Sequence, residues 1–251
     1  MKTNQNRRTP QVGHCESRRT LLKSAMGIAG VSLSAAPLLG VPRLACAAAM
    51  SKEQRDQLTP DQILAAMQRG NERFRAGKML RHDYLAQKRA TVTGQYPAAV
   101  ILSCIDSRAP AEIILDAAIG DTFNARIAGN IANDDLLGSL EFACALAGAK
   151  VILVMGHTAC GAIKGAIDGA QLGNLTGLLN KIKPAVDATQ YQGERSSKNG
   201  EFVDEVAKTN VRLTIGEIRR RSEVLAALEK DGKIKIAGSL YHLAGGRVEF
   251  Y

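Results

Sequence analysis

Apolar positions fall into two alternating rhythms from residue 59 onward. Short continuous runs, Ala98–Ser103 after Pro97 and Val151–Met155 between Gly148 and Gly156, read as buried strands, and Asp121–Ile127 reads as another strand. Between them lie segments with the helical period. Thr59-Pro60 opens one, with Ile63, Leu64 and Met67 on one face before Gly70, then Phe74 and a stop at Gly77. Pro110–Ala117 has Pro in its first turn and Glu112 near the positive end of the dipole. Asn133–Ala147 reads as an apolar helix and Cys160–Ile167 as the start of another. The second half is more polar. Leu175–Val186 is a helix, 190–200 a loop, and Glu201–Lys230 one or two amphipathic helices ending near Gly232. Lys233–Tyr241 and Arg247–Tyr251 form a last pair of strands around Gly245-Gly246. Strand and helix alternation predicts an α/β fold, a mostly parallel central sheet flanked by helices, with sites at the carboxyl ends of the strands.

The chain has 251 residues, 45% of them hydrophobic, with few aromatics and no Trp. That suits one domain of roughly 200 residues with an aliphatic core, preceded by a leader. The formal charge of +9 is unevenly placed: residues 1–50 carry seven basic groups and one acid, the remainder 26 basic and 23 acidic. The excess belongs mainly to the leader, and no basic stripe interleaved with aromatics suggests nucleic acid. Ser17-Arg18-Arg19-Thr20-Leu21-Leu22-Lys23 resembles a twin-arginine export signal, followed by a weakly apolar stretch and the small residues Ala45-Cys46-Ala47-Ala48-Ala49. The expectation is an export signal over 1–49, a catalytic domain over 51–251, a periplasmic or otherwise exported location, and membrane contact only through the signal. Cys15 and Cys46 leave with the leader, and Cys144 reads as a small core hydrophobe.

Cys104, His157 and Cys160 remain, in Ser103-Cys104-Ile105-Asp106-Ser107-Arg108 and Gly156-His157-Thr158-Ala159-Cys160-Gly161. Two thiolates and an imidazole suit Zn²⁺. Structural zinc sites close with four protein ligands, whereas catalytic ones leave a position for water. Neighbouring parallel strands bring Cys104 and His157 together, and the start of a helix favours the thiolate of Cys160. Bound zinc brings a water's pKa near neutrality. Arg108 holds Asp106 ionised, so that Asp106 orients the resulting nucleophile or itself becomes the fourth ligand. A Cys–His thiol hydrolase would leave Cys160 and the Asp106–Arg108 pair without a use.

These stretches resemble the β-class carbonic anhydrases. So do Gly70-Asn71-Glu72-Arg73-Phe74, Arg126-Ile127-Ala128-Gly129-Asn130, Asn210-Val211 and Gly238-Ser239-Leu240-Tyr241, which carry the likeness from about Asp61 to Phe250. The resemblance implies reversible hydration of CO₂ to bicarbonate and a proton, with zinc on Cys104, His157 and Cys160 and an Asp106–Arg108 dyad. It further implies substrate contacts from Gln95 across a dimer interface, from the Gly161 N–H and from Phe123 as an apolar wall, in a homodimer or homotetramer. Phe142 stands where some relatives have Tyr, and the lack of Trp removes one used by a branch with a regulatory bicarbonate pocket. Hydrolysis of CS₂ or COS on the same fold and a non-catalytic zinc module are the alternatives. His82 and Tyr84 are shuttle candidates by composition alone.

Overall fold

The computed structural model describes residues 49–251; the expected leader, 1–49, falls outside them but for its last position. Helices α1 (Lys52–Asp56), α2 (Pro60–Arg75) and α3 (Tyr84–Ala90) precede strand β1 (Ala99–Ser103). Then come α4 (Ala111–Ile114), β2 (Thr122–Arg126), α5 (Asp134–Glu141), β3 (Val151–His157), α6 (Gly161–Ile167) and α7 (Gly173–Ala188). Helices α8 (Gly200–Arg221) and α9 (Glu223–Lys230) lead to β4 (Lys235–Tyr241) and β5 (Val248–Phe250). The sheet order is β2-β1-β3-β4-β5, parallel except for the antiparallel β5. The expected architecture is therefore observed. No helix among the described residues is long and apolar enough to cross a membrane.

β1 and β3 are buried along their whole length because both faces are covered. Their odd-numbered residues, Ile101, Val151 and Leu153 among them, pack with Ile63 and Met67 of α2 and Ile114 of α4. Even-numbered residues such as Leu102, Ile152 and Val154 pack with Leu137 and Leu140 of α5 and Val211, Ile215 and Ile218 of α8. A third apolar cluster lies beyond the carboxyl ends of the strands, where Ile163, Ile182, Phe202 and Val206 surround Cys104 and Cys160. Helix α8 sits close against β3 because Gly156 has no side chain: a Cβ there would stand 2.8 Å from Val211 Cγ2.

Local chemistry accounts for most boundaries. Thr59 caps α2 through the Gln62 N–H, Gln62 returns the bond to the Thr59 N–H, and Pro60 takes the first turn. Ser222 breaks the expected Glu201–Lys230 run in two and caps α9 through the Leu225 N–H. Two expectations are corrected. The helix expected over Pro110–Ala117 is only Ala111–Ile114, because Asp116 turns left-handed (φ 50°) and its fully buried carboxylate pairs with Arg73 (2.5 Å) and His82 (2.9 Å). The helix expected over Asn133–Ala147 widens to a π-helical turn at Phe142–Leu146, which keeps Ala143 and Cys144 buried while Phe142 and Leu146 face outward. α3 has no counterpart in the sequence reading; its apolar Leu85 is exposed, so periodicity carries no signal for it.

Candidate metal centre and dyad

Cys104 directly follows β1, His157 ends β3, and Cys160 caps the start of α6. Because β1 and β3 pair in register, with Ser103 opposite Met155, the turns that leave them emerge side by side. Ligand atoms of the three residues lie within 4.8 Å of one another, and all three side chains are buried. Residues separated by more than fifty positions thus meet at the sheet's carboxyl edge, where the strand pattern places a site.

The ring of His157 is prepared for a ligand. Its Nδ1 donates to the Thr158 carbonyl oxygen at 2.9 Å, which leaves the lone pair on Nε2. Nε2 is buried and has no hydrogen-bond partner in the protein. A buried nitrogen in that state signals an unassigned partner, and two sulfurs beside it define a soft, nitrogen-tolerant donor set. These residues fit a divalent ion such as zinc.

The two thiols are driven in opposite directions. Cys104 is held at about 4, mostly by the Cys160 thiol alongside it, with the His157 ring and the Gly129 N–H helping against burial. Cys160 is pushed up by its bond to Cys104, by burial and by the Cys104 charge. The N–H groups of Ile163 and Ala162 at the start of α6 do lower it, as the sequence suggests, but two adjacent thiolates repel more strongly. A cation between the sulfurs reverses that sign. Cys144, by contrast, is raised to about 12 by burial alone and stays an apolar core residue.

Asp106 and Arg108 form a two-pronged pair, Arg108 Nε to Oδ1 at 3.0 Å and Nη2 to Oδ2 at 2.8 Å, and the Arg108 backbone N–H also donates to Oδ1 at 2.9 Å. The bonds from Arg108 hold this carboxyl far below the usual carboxylate range. Oδ2 stands 3.8 Å from His157 Nε2, so the carboxylate borders the ligand cluster while Arg108 engages both its oxygens. Gly161 is exposed at the first position of α6, next to Cys160, with open space where a Cβ would be.

Gln95 and Phe123 are not brought to this cluster within the chain. Gln95 is exposed ahead of β1, at the other end from Cys104 of a strand that alone spans about 17 Å. Phe123 pairs with Val100, three residues short of the Arg126–Ser103 row that leads to Cys104, and meets Phe142 edge-on at 6.2 Å between centroids. His82, stacked on Tyr84, is buried against Asp116 and Gln87. Sequence reasoning assigned no role to Arg126 and Gly129. Arg126 donates from Nε to the Cys104 carbonyl (2.8 Å) and from Nη2 to the Asp106 carbonyl (2.6 Å), bracing the loop that carries ligand and dyad. The Gly129 N–H donates to Cys104 Sγ at 3.4 Å. The only available sign was the Arg126–Asn130 stretch within the family likeness.

The family model described as carbonic anhydrase matches residues 99–248. A carbonic anhydrase of Mycolicibacterium smegmatis is 36% identical over 186 residues, covering 73% of this chain and 89% of the relative. Carbonic anhydrase 2 of Mycobacterium tuberculosis is 35% identical over 188 residues, covering 72% of this chain and 88% of its own. One of two tetrameric β-carbonic anhydrases from the filamentous ascomycete Sordaria macrospora superposes with a TM-score of 0.55 at 27% identity, over 63% of this chain and 82% of that one. A mostly parallel sheet with a Cys–His–Cys centre at its carboxyl edge, together with relatives of this closeness, defines the class: the chain belongs to the β-carbonic anhydrase family.

Proposed function

We propose that the protein catalyses the reversible hydration of CO₂ to bicarbonate and a proton, with Zn²⁺ held by Cys104 Sγ, His157 Nε2 and Cys160 Sγ. The observation that carries the reading is the juxtaposition of that buried donor set with an ionised carboxylate 3.8 Å from the histidine nitrogen. When bound, zinc supplies Lewis acidity, which lets water lose a proton near neutral pH.

The chain's own residues do the rest. Thr158 fixes the His157 tautomer through its carbonyl oxygen. Asp106, kept ionised by Arg108, can only accept hydrogen bonds, so it aims a lone pair of the attacking oxygen at the CO₂ carbon instead of taking its proton. In this reading the Gly161 N–H, at the first position of α6 beside Cys160, donates to an oxygen of the substrate or product, and the proton released leaves to buffer.

Gln95 and Phe123 enter this reading from a second copy. β2 is an edge strand, and exposed Ile105, Ile113, Ile119 and Phe142 are carried by it or by the segments on either side of it. An antiparallel-related copy across that edge brings the far end of one strand to the near end of the other, which suits a homodimer or a pair of dimers. The tetrameric Sordaria macrospora relative supports oligomerisation. Export to the periplasm by the twin-arginine route rests on Arg18-Arg19 and the apolar stretch that follows.

The test is stopped-flow CO₂ hydration on protein of measured zinc content, with CS₂ and COS assayed beside it. His157→Ala is expected to lose zinc and hydration together. Full hydration by the zinc-free variant would overturn the reading, and turnover of CS₂ or COS without CO₂ would redirect it.

A further inference from the structure

Helix α8 reaches both ligand-bearing turns through side chains that touch no ligand atom. Asp204 Oδ1 accepts the Ala159 N–H at 2.8 Å. Ala159 lies between His157 and Cys160 and is left-handed, at φ 53°, a conformation that a residue with a Cβ seldom adopts unaided. That single reversed residue lets the chain leave β3 and enter α6 with both ligands facing the same point. Asp204 forms no ion pair among the described residues, so its structural use is this one backbone bond.

Six residues further along the same helix, buried Asn210 donates from Nδ2 to the Gly129 carbonyl at 2.7 Å. Gly129 is also left-handed, at φ 71°, and its N–H is the one that meets Cys104 Sγ. One helix therefore holds a left-handed residue on each side of the cluster. The close seat of Val211 on Gly156 sets the position of α8 one residue before His157.

We propose that Asp204 and Asn210 are positioning residues that set the spacing of the Cys104 side of the centre against the His157–Cys160 side, so that metal affinity depends on side chains that never touch the metal. The inference rests on the metal-centre reading above. In Asp204→Ala the Ala159 N–H loses its acceptor and the turn relaxes toward right-handed backbone, which swings Cys160 away from His157. Asp204→Asn keeps an oxygen acceptor. Ala159→Gly removes the reluctance of the turn, because glycine adopts a positive φ without help.

Zinc affinity of the full chain is measured by chelator competition, and the visible spectrum of the cobalt-loaded protein reports ligand geometry without reference to turnover. Asp204→Ala is expected to weaken zinc by about 10–100-fold and to shift the cobalt bands. Asp204→Asn stays within about threefold of the parent, because the bond to the Ala159 N–H is retained. Ala159→Gly added to Asp204→Ala recovers most of the loss, and Asn210→Ala weakens zinc by about tenfold. If Asp204→Ala does not fold, as judged by circular dichroism, the double variant and Asn210→Ala carry the comparison. A lower melting temperature with unchanged zinc affinity and cobalt spectrum would overturn the inference, as would loss in Asp204→Asn equal to that in Asp204→Ala. Failure of the unsubstituted protein to bind zinc would sink the metal-centre reading itself; equal binding by parent and variants would sink only the positioning role.

Discussion

Gly129→Ala tests how the structure accommodates the turn beside Cys104. A Cβ at this position would come within 2.4 Å of Ile182 Cδ1 and 3.3 Å of Ile182 Cγ1. Ile182 is fully buried, between α6 and α8, and cannot simply rotate into solvent. Holding Ala at φ 71° costs about 1–2 kcal/mol. Forcing a methyl into a filled core adds about 1–3 kcal/mol. The expected loss is therefore about 2–5 kcal/mol, a melting shift of about 4–20 °C for a domain near 200 residues. A double-mutant cycle separates the two costs. Ile182→Val removes the Cδ1 methyl and alone costs about 0.5–1.5 kcal/mol. Combined with Gly129→Ala it relieves the overlap but not the backbone cost, so the pair should be more stable than additivity predicts by about 1–2 kcal/mol. Denaturant titration of the four proteins reads the coupling. Strict additivity, or a Gly129→Ala protein within about 0.5 kcal/mol of the parent, refutes the argument.

Other expectations concern charge. Asp121 is pushed up to about 6, chiefly by burial, against an ordinary 3.8. The native protein therefore holds a proton that the unfolded chain has lost between about pH 4 and 6, and stability falls as pH rises through that window, by up to about 3 kcal/mol. In Asp121→Asn, whose side-chain oxygen can still accept the Ala118 N–H, the melting temperature relative to the parent should climb from pH 4 to 6 and then level off. A difference independent of pH contradicts it. Asp106→Asn should keep zinc and lose CO₂ hydration by about 10²-fold, and Asp106→Asn with Arg108→Ala should be little worse than either alone, because the two act as one unit. Multiplying losses would show separate roles. Arg126→Ala removes the donors to the Cys104 and Asp106 carbonyls, and zinc affinity should fall by about tenfold, read by chelator competition. Unchanged affinity would mean that the loop holds itself.

The donor types and their spacing are written locally. Cys104 with Asp106 and Arg108, and His157 with Cys160, each sit at the end of an apolar run that has to be a strand because it is short, continuous and bounded by Pro or Gly. Parallel pairing follows from strand–helix alternation, and with it the meeting of two distant turns. That much of the fold and the centre was legible because period, length and turn chemistry act over a few residues.

Long-range contacts decided the remainder. Asp116 ends α4 early because Arg73 and His82, about forty residues upstream, supply its buried partners. Nothing in the neighbourhood of Ala159 announces a left-handed alanine; its acceptor, Asp204, belongs to a helix forty-five residues later. The coupling of the two thiols was out of reach of the sequence for the same reason: the helix start that lowers Cys160 is a local feature, whereas its repulsion by Cys104 appears only once β1 and β3 are paired. Residue identity thus determined which groups are available for chemistry, while the distances between them, on which electrostatic and hydrogen-bond energies depend, exist only in the folded chain.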